Sequence, residues 1–440
     1  MDKELFDEYK KQGRGSWGKD LKIWKTMYNA FLNASKEQEF NPVIEMFLDI
    51  FLSIPKARKE EKPIVMHPFN YEPSLIFAMN LTPLMQEVIS VGLAPFHLNE
   101  PYIDYAKQVG YGDNPTLCNA QRPFIALLLQ GAAPIPDYLV YPTAPCNSLT
   151  MSYQVMQNLA NIPSFHLDIP YWGYKNQESE YFDEKTLDYI INQSKNLIAW
   201  LENKTEHEFD EERFKRTMVR VNQARENVLE FNELLKNVPC PMPSQAGFLG
   251  SFFTMVTRSG SPEAVNTTKW FRDTAAQNVK NGIGGVPNEK IRIAWPYTHV
   301  FFDQEMLPFI EQSYDAIIIM DLLGHYKVLP HDVSTTENCF QSLAKGILDA
   351  SMVGTLRGPV EYYIDYLVNF MRDYKIDAVI FPVHMACKHV FAMAQVASEA
   401  IKEEIGIPTL IFGCDSYDSR EVTSEAIRTQ ISEFLTQTVL

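Results

Sequence analysis

Several signatures of common enzyme classes are absent from this sequence of 440 residues. It has no G-x-x-x-x-G-K-[ST] motif, which excludes a phosphate-binding P-loop of its own. It has neither G-x-S-x-G nor H-E-x-x-H, which removes the signatures of serine hydrolases and of zincin metalloproteases. None of its six cysteines forms a C-x-x-C pair, so neither a zinc ribbon nor a thioredoxin-type motif is present. A metal site would have to be assembled from distant loops.

Long apolar runs and an excess of positive charge are also missing. No run approaches the roughly 20 apolar residues that span a bilayer. Lys and Arg number 39 against 55 Asp and Glu, a net charge of −16, which argues against nucleic acid and anionic membranes as partners. The first residues, 1–9, are charged and lack the apolar core of a signal peptide, so we expect a cytoplasmic protein with reduced cysteines.

The length suggests two or three domains. Short apolar runs alternate with helical stretches in two parts of the chain, a pattern typical of βαβ units. We predict an α/β fold with two Rossmann- or flavodoxin-like parallel-sheet domains, an N-terminal helical lead and a helical segment between the domains. The predicted bounds are 1–62 for the lead, 63–174 for the first α/β domain, 175–285 for the helical segment and 286–440 for the second α/β domain.

Hydrophobic periodicity places the individual elements. Strands are predicted at 63–67, 88–91, 137–141, 164–168, 291–295, 316–320, 378–383 and 409–412. Helices are predicted at 74–85, 184–203, 210–237, 262–281, 341–353, 359–374, 388–404 and 420–436. Residues 13–18 match G-x-G-x-x-G, but no strand precedes them, so we interpret them as a turn between helices.

Three cysteines share one context, a turn-prone loop ahead of a predicted helix. Cys146 and Cys387 follow predicted strands, and functional residues gather at the carboxyl ends of parallel strands. Cys118 has Arg122 one helical turn on, and Cys387 has Lys388 beside it. A thiolate at a helix N-terminus beside a cation has a lowered pKa and is a better metal ligand. The pattern favours a shared site for an iron–sulfur cluster or zinc, with ordinary packing as the alternative.

The other candidate ligands are less persuasive. Cys240 lies in a proline-rich loop, Cys339 in a polar stretch, and Cys414 precedes an aspartate whose charge disfavours a thiolate. Three histidines fall at predicted strand ends and could line a cleft, although such residues are more often hydrogen-bonded loop residues. They are His67, His299 and His384.

A set of motifs occurs in a fixed order between about residues 60 and 438. The motifs are 112–122 around Cys118, 134–137 ahead of a strand and Cys146, 162–170, 384–388 around Cys387, and 406–420. In this order they resemble the 2-hydroxyacyl-CoA dehydratase and benzoyl-CoA reductase family.

The resemblance implies a cofactor, partners and a reaction. Subunits of that family hold a [4Fe–4S] cluster with three cysteines, which correspond by position to Cys118, Cys146 and Cys387. They work with a homologous second subunit, usually as a heterodimer, although a homodimer is possible. A separate ATP-hydrolysing iron–sulfur activator delivers single electrons. The dehydratases convert a 2-hydroxyacyl-CoA, through a ketyl radical that expels hydroxide, into a 2-enoyl-CoA.

Departures from the family pattern leave other functions open. Members often carry Glu-Leu after the first strand, where this chain has Pro73, so Glu72, Ser74 and His67 are the candidates for a catalytic side chain there. Trp-Gly before the last cysteine is replaced by residues 385–386, Met-Ala. The alternatives are an ATP-dependent ring reductase of the benzoyl-CoA type, a double-cubane-cluster reductase that would need further cysteines, and a non-catalytic electron-relay subunit.

Overall fold

The structure is a computed structural model that describes residues 28–29, 42–112, 117–173, 183–321, 323–350 and 352–439. Most of the predicted N-terminal lead, including the turn predicted at 13–18, lies outside these residues. The described part of the lead forms helix α1 (Pro42–Lys59). Its buried side chains recur at intervals of three and four residues, from Val43 through Met46 and Ile50 to Ile54, so one face of the helix packs on the core.

Four parallel strands form the first sheet, in the order β2-β1-β3-β4. They are β1 (Ile64–His67), β2 (Thr82–Met85), β3 (Tyr138–Pro142) and β4 (Ser164–Leu167). The helices around them are α2 (Ser74–Ala78), α3 (Val88–Leu93), α4 (Glu100–Gln108), α5 (Arg122–Leu129) and α6 (Asn147–Ala160), with a 3-10 turn at Ala94–Phe96. Both faces of β1 are buried, as expected for a strand inside a helix-covered parallel sheet.

The second sheet repeats this arrangement in the order β6-β5-β7-β8, again with parallel pairs. Its strands are β5 (Ile291–Trp295), β6 (Ala316–Asp321), β7 (Ala378–His384) and β8 (Thr409–Cys414). Its helices are α11 (Met306–Tyr314), α12 (Thr336–Asp349), α13 (Val353–Leu356), α14 (Val360–Asp373), α15 (Lys388–Ile405) and α16 (Ser424–Phe434), followed by a π-helical turn at Leu435–Val439. The predicted α/β fold with two parallel-sheet domains is confirmed.

Helices also fill the segment between the two sheets. They are α7 (Glu184–Thr205), α8 (Glu211–Leu234), α9 (Thr254–Arg258) and α10 (Pro262–Asn281), with a π-helical stretch at Phe248–Phe253. Three of these helices begin at a capping side chain that accepts a backbone N–H three residues on. Asp183 accepts from Thr186, Asp210 from Arg213 and Ser261 from Ala264. Such caps satisfy donors that the helix start leaves open, and the three long helices begin close to where the sequence predicts.

Two predictions in the first domain are wrong. Residues 82–85, predicted as the end of a helix, form the edge strand β2, and 88–91, predicted as a strand, form α3. Asn80 adopts a left-handed backbone, with φ of 57°, after α2 ends. Pro83 lacks a backbone N–H, so it suits an edge strand better than a helix interior. A short apolar run such as 88–91 does not separate strand from helix by periodicity alone.

The two sheets share one hydrophobic core. The largest cluster of buried apolar side chains includes Met66 of β1, Tyr141 of β3, Ala294 of β5 and Phe381 of β7. The two halves therefore pack on each other, with the loops at their strand ends held by a common interior. Within the described residues, no helix combines the length and the apolar character needed to cross a membrane.

Candidate functional site

Loops from both sheets surround one cavity at the carboxyl ends of the strands. Phe69 follows β1, Glu87 follows β2 and Cys146 follows β3. From the second sheet, Tyr297 follows β5, Leu323 follows β6 and Cys387 follows β7. Cys118 lines the same cavity from the loop before α5. The structure thus brings together the three cysteines that the sequence singles out.

Backbone hydrogen bonds hold Cys118 in a tight turn. Its N–H donates to Ser148 Oγ at 2.6 Å, and its carbonyl oxygen accepts from the backbone N–H of Gln121 at 3.0 Å. Its Sγ accepts from the backbone N–H of Ala120 at 3.3 Å. The thiol is buried and fixed in direction before any ligand binds.

Cys146 and Cys387 occupy matching positions at helix starts. Each is the residue that caps its helix, Cys146 for α6 and Cys387 for α15, and each has an extended backbone. Cys146 Sγ accepts from the backbone N–H of Leu149 at 3.4 Å. The hydroxyl of Tyr297 donates to the sulfur of Cys387. Both sulfurs therefore meet hydrogen-bond donors at the cavity wall.

The expectation that cations and helix starts lower these thiol pKa values is wrong. Burial raises the pKa of Cys118 well above its usual value, raises that of Cys146 to about 12, and also raises that of Cys387. The backbone N–H groups act in the opposite direction but are outweighed. Arg122 is engaged elsewhere, because it donates to the Tyr111 carbonyl and to Asn119 Oδ1. Without a bound cation the three thiols are protonated.

His384, the last residue of β7, points directly at Cys118. Its Nδ1 accepts the backbone N–H of Ser416 at 3.1 Å, so the ring hydrogen of the neutral imidazole lies on Nε2. That nitrogen lies 2.9 Å from Cys118 Sγ and donates to it. Of the three histidines proposed from strand ends, His384 lines this cavity, and His299 lines a neighbouring cavity.

Glu87 supplies the carboxyl group of this cavity, and no sequence pattern pointed to it. Burial raises its pKa to about 7, although the backbone N–H of Phe69 donates to Oε2 at 3.2 Å. Gln121 Nε2 reaches Oε1 at 3.5 Å, and Ser148 Oγ donates to Gln121 Oε1 at 3.0 Å. Glu87 is therefore connected, through Gln121 and Ser148, to the turn that holds Cys118. If residues 82–85 are recognised as a strand, Glu87 stands just after a strand end and becomes a candidate site residue.

An aromatic wall closes the other side of the cavity. It includes Phe248, Phe252 and Phe253, all from the π-helical stretch, with Phe301 and Tyr417. The ring of Phe301 stacks on that of Tyr417 with centroids 5.1 Å apart, and Phe248 lies 5.6 Å from Phe301. Gly250 lets this stretch pack closely, since an added Cβ would lie 2.6 Å from the Phe271 ring. From the sequence we predict only a helical segment here, but π-helical turns occur often at functional sites.

The candidates Glu72, Ser74 and His67 lie outside the lining of this cavity. Glu72 accepts hydrogen bonds from Ser259 Oγ, at 2.8 Å, and from the Tyr326 hydroxyl. His67 Nδ1 donates to the carbonyl oxygens of Pro68 and Tyr71, and Ser74 is the first residue of α2. All three are buried.

The remaining cysteines are also separate from the cavity. Cys240 Sγ donates to the carbonyl of Met242, and Cys339 Sγ to that of Val333, both at 3.5 Å. Cys414, the last residue of β8, belongs to the apolar core of the second sheet.

The three thiols can be compared with the ligand sets of a single metal ion and of an iron–sulfur cluster. Among the described residues, no three His, Cys, Asp or Glu side chains are arranged around a single metal ion. The irons of a cubane occupy separate corners, so its thiolates stand farther apart than the ligands of one tetrahedral ion. Three thiols around a shared cavity, one buried and two half-buried, fit such a cluster, and two of them have backbone N–H donors at sulfur.

Comparison with known proteins gives one family match over most of the chain. The family model for the 2-hydroxyglutaryl-CoA dehydratase D-component matches residues 69–437. Three similar proteins are named as dehydratase alpha subunits. The first, the (R)-2-hydroxyglutaryl-CoA dehydratase subunit of Acidaminococcus fermentans, is 23% identical over 69% of this chain and 60% of its own length.

The other two are similarly distant. The lactoyl-CoA dehydratase subunit of Anaerotignum propionicum is 24% identical over 68% of each chain. The (R)-phenyllactyl-CoA dehydratase subunit of Clostridium sporogenes is 21% identical over 74% of this chain and 78% of its own. The match to the first of the three thus spans about 60% of that relative's length.

Proposed function

This chain belongs to the 2-hydroxyglutaryl-CoA dehydratase D-component family, and we propose that it is the iron–sulfur subunit of a 2-hydroxyacyl-CoA dehydratase. The proposed reaction is a radical elimination of water that converts a 2-hydroxyacyl-CoA into a 2-enoyl-CoA. The observation that carries the proposal is the cavity at the strand ends, where three loops place Cys118, Cys146 and Cys387 together.

These three cysteines would hold a [4Fe–4S] cluster. Bound there, such a cluster supplies single electrons and an iron without a protein ligand that can act as a Lewis acid. Buried thiols with raised pKa values release their protons when a cation replaces them, so metal binding and deprotonation are coupled. The donors at sulfur, from Ala120, Leu149 and His384, would offset the negative charge of the thiolates.

Glu87 is the group that we assign to proton transfer. Elimination removes hydroxide from carbon 2 of the acyl chain and a proton from carbon 3. A carboxyl group with a pKa of about 7 can accept a proton and release it again near neutral pH, which suits a general base. Gln121 and the backbone N–H of Phe69 hold the carboxylate in place, and the aromatic wall excludes water from the reacting carbons.

Two partners complete the proposal. The relatives are named as alpha subunits, which implies a second subunit. Electrons would come from an ATP-hydrolysing iron–sulfur activator, a role that fits a chain without a P-loop motif.

The site favours this function over the alternatives. A double-cubane cluster needs more thiolates, yet Cys240, Cys339 and Cys414 lie away from the cavity. A pure electron relay needs no substrate space, whereas the three thiols share their cavity with a carboxyl group and an aromatic wall. The names of the relatives favour dehydration over ring reduction.

Iron and sulfide counting on anaerobically purified protein tests the cofactor. We expect about four irons and about four sulfides per chain, as for one cubane. Replacing Cys387 with Ser should remove most of the iron, because one of three ligands is lost. Cys339→Ser is the matched control, since Cys339 is also a buried thiol but contacts the Val333 carbonyl.

Three results would count against the proposal. Dehydration activity in protein without iron would exclude the cluster. About eight irons per chain would support the double cubane. Equal iron loss in both variants would show that the cavity thiols have no special role.

A further inference from the structure

The cavity that we assign to the substrate has a carboxyl group, and neither Lys nor Arg, in its described lining. Among the described residues that line it, Glu87 is the acidic one, and none is Lys or Arg. His384 also lines it, but both of its ring nitrogens are already engaged, Nδ1 by the backbone N–H of Ser416 and Nε2 by Cys118 Sγ. A substrate carboxylate placed here would be buried beside Glu87 with no Lys or Arg partner among the described residues, which is strongly unfavourable.

The walls of the cavity are suited to an apolar group. Phe69, Phe248, Phe252, Phe253 and Phe301 line it with Tyr417. Their rings are in mutual contact, for example Phe248 with Phe252 at 5.6 Å and Phe69 with Phe252 at 6.3 Å between centroids. The faces and edges of these rings that point into the cavity can pack against a further ring or a branched chain.

A second cavity, of about 500 Å³, lies behind part of this wall. The two cavities share four lining residues, Val91, Phe248, Phe253 and Phe301, which we call the partition. The rest of the second cavity is lined by further apolar side chains, such as Phe47 and Phe51, and by polar ones that include Asp303 and Glu305. No Lys or Arg is among its described lining residues, so the phosphates of coenzyme A would find no counter-charge there.

We infer that the substrate carries an uncharged, apolar acyl group and that the partition sets its maximum length. This inference rests on the proposed function, because it takes the cysteine cavity as the acyl site. The thioester end would lie toward the three thiols and Glu87, and the far end of the acyl group would meet Phe248 and Phe253.

Equilibrium dialysis of the anaerobically purified native complex tests the first part. The probes are three 2-hydroxyacyl-CoA thioesters whose acyl chains end in a phenyl group, a methyl group or a carboxylate. Reductant and ATP are left out, so that the probes bind without turnover. We expect the phenyl compound to bind at least about tenfold more tightly than the carboxylate compound, because the latter buries an unpaired charge.

The outcomes distinguish a failure of this inference from a failure of the proposed function. If the carboxylate compound binds as tightly as the phenyl compound, the inference is overturned while the proposed function stands. If none of the three binds, the cavity is not an acyl-CoA site, and the proposed function itself fails.

Replacing Phe248 with Ala tests the partition. The variant joins the two cavities, so an acyl group one aromatic ring longer should bind at least about tenfold more tightly to the variant than to the unaltered protein. Phe214→Ala is the matched control, since Phe214 is a buried phenylalanine in a separate core cluster. No gain in the Phe248 variant, or an equal gain in both, would overturn the role of the partition.

Discussion

The two sheets have the same strand order, yet the loops at their carboxyl ends present different chemistry. Two residues after β2 lies Glu87, and two residues after β6, its counterpart, lies Leu323. Phe69 after β1 likewise corresponds to Tyr297 after β5, whose hydroxyl reaches the third cysteine. A shared backbone plan thus gives one half the carboxyl group and the other half the hydroxyl.

Two of the three cysteines occupy equivalent positions in the two halves, and the third does not. Cys146 and Cys387 cap the helices that follow the equivalent strands β3 and β7, with nearly equal backbone angles. Cys118 comes from the connection between β2 and β3. In the corresponding connection between β6 and β7, the cysteine is Cys339, which is buried in a different apolar cluster. Two thiols therefore follow from the repeated fold, and the third belongs to the first half alone.

The largest effect is expected from the two equivalent cysteines. Cys146→Ser should remove as much iron as Cys387→Ser, and both should abolish dehydration, because each would contribute one ligand from the same structural position. Iron analysis of the two purified variants checks this. If one variant keeps nearly all its iron while the other loses it, the two positions share a backbone conformation but not a role in iron binding.

Glu87 and Leu323 allow a second comparison between the halves. Glu87→Gln should lower kcat on the order of 10²–10⁴-fold, the usual contribution of a general base, without loss of iron. The carboxylate accepts the proton, so activity should rise with pH around the pKa of about 7, and this dependence should vanish in the variant. Leu323→Met, a change of similar volume at the equivalent position, should alter kcat little. A Gln variant with unchanged kcat would remove Glu87 from the mechanism.

Glu72 connects the first half of the chain to the second through a hydrogen bond. Its carboxylate accepts hydrogen bonds from Ser259 and from Tyr326 of the second half, and it lies 3.9 Å from the Arg225 guanidinium. Glu72→Ala should destabilise the fold by roughly 3 kcal/mol, since a buried Arg loses its partner. The thermal unfolding midpoint should fall while iron content is retained, and the exposed Glu60→Ala is the control. If the thermal unfolding midpoint is unchanged but activity is lost, Glu72 acts in catalysis and not in stability.

The smallest effect is expected at His384, which ends β7 where Pro142 ends β3. Replacing His384 with Leu removes the N–H donor to Cys118, so a reduced cluster bound at these thiols would lose stabilisation. Its midpoint potential, measured by redox titration with EPR detection, should become more negative. His384→Gln, which retains a donor group, should shift it less. Equal potentials in all three proteins would mean that this hydrogen bond does not act on the cluster.

Local sequence patterns determined much of this protein. Periodic apolar residues placed the strands β1, β3, β4 and β5–β8, and capping residues such as Asp183 and Ser261 mark where helices begin. The ordered motifs around Cys118, Cys146 and Cys387 also identified the three thiols, which the folded chain brings to one cavity. These features depend on residues close together in the chain, so a linear pattern is enough to find them.

The tertiary structure decided the rest. The protonation of the thiols, the raised pKa of Glu87 and the position of Phe248 in the cavity wall depend on what surrounds them, and those neighbours come from distant parts of the chain. Desolvation outweighs a nearby helix start or cation once a group is buried, and a sequence motif does not specify burial. The sequence identified the thiols, whereas the fold determined that they share a cavity with Glu87 and an aromatic wall.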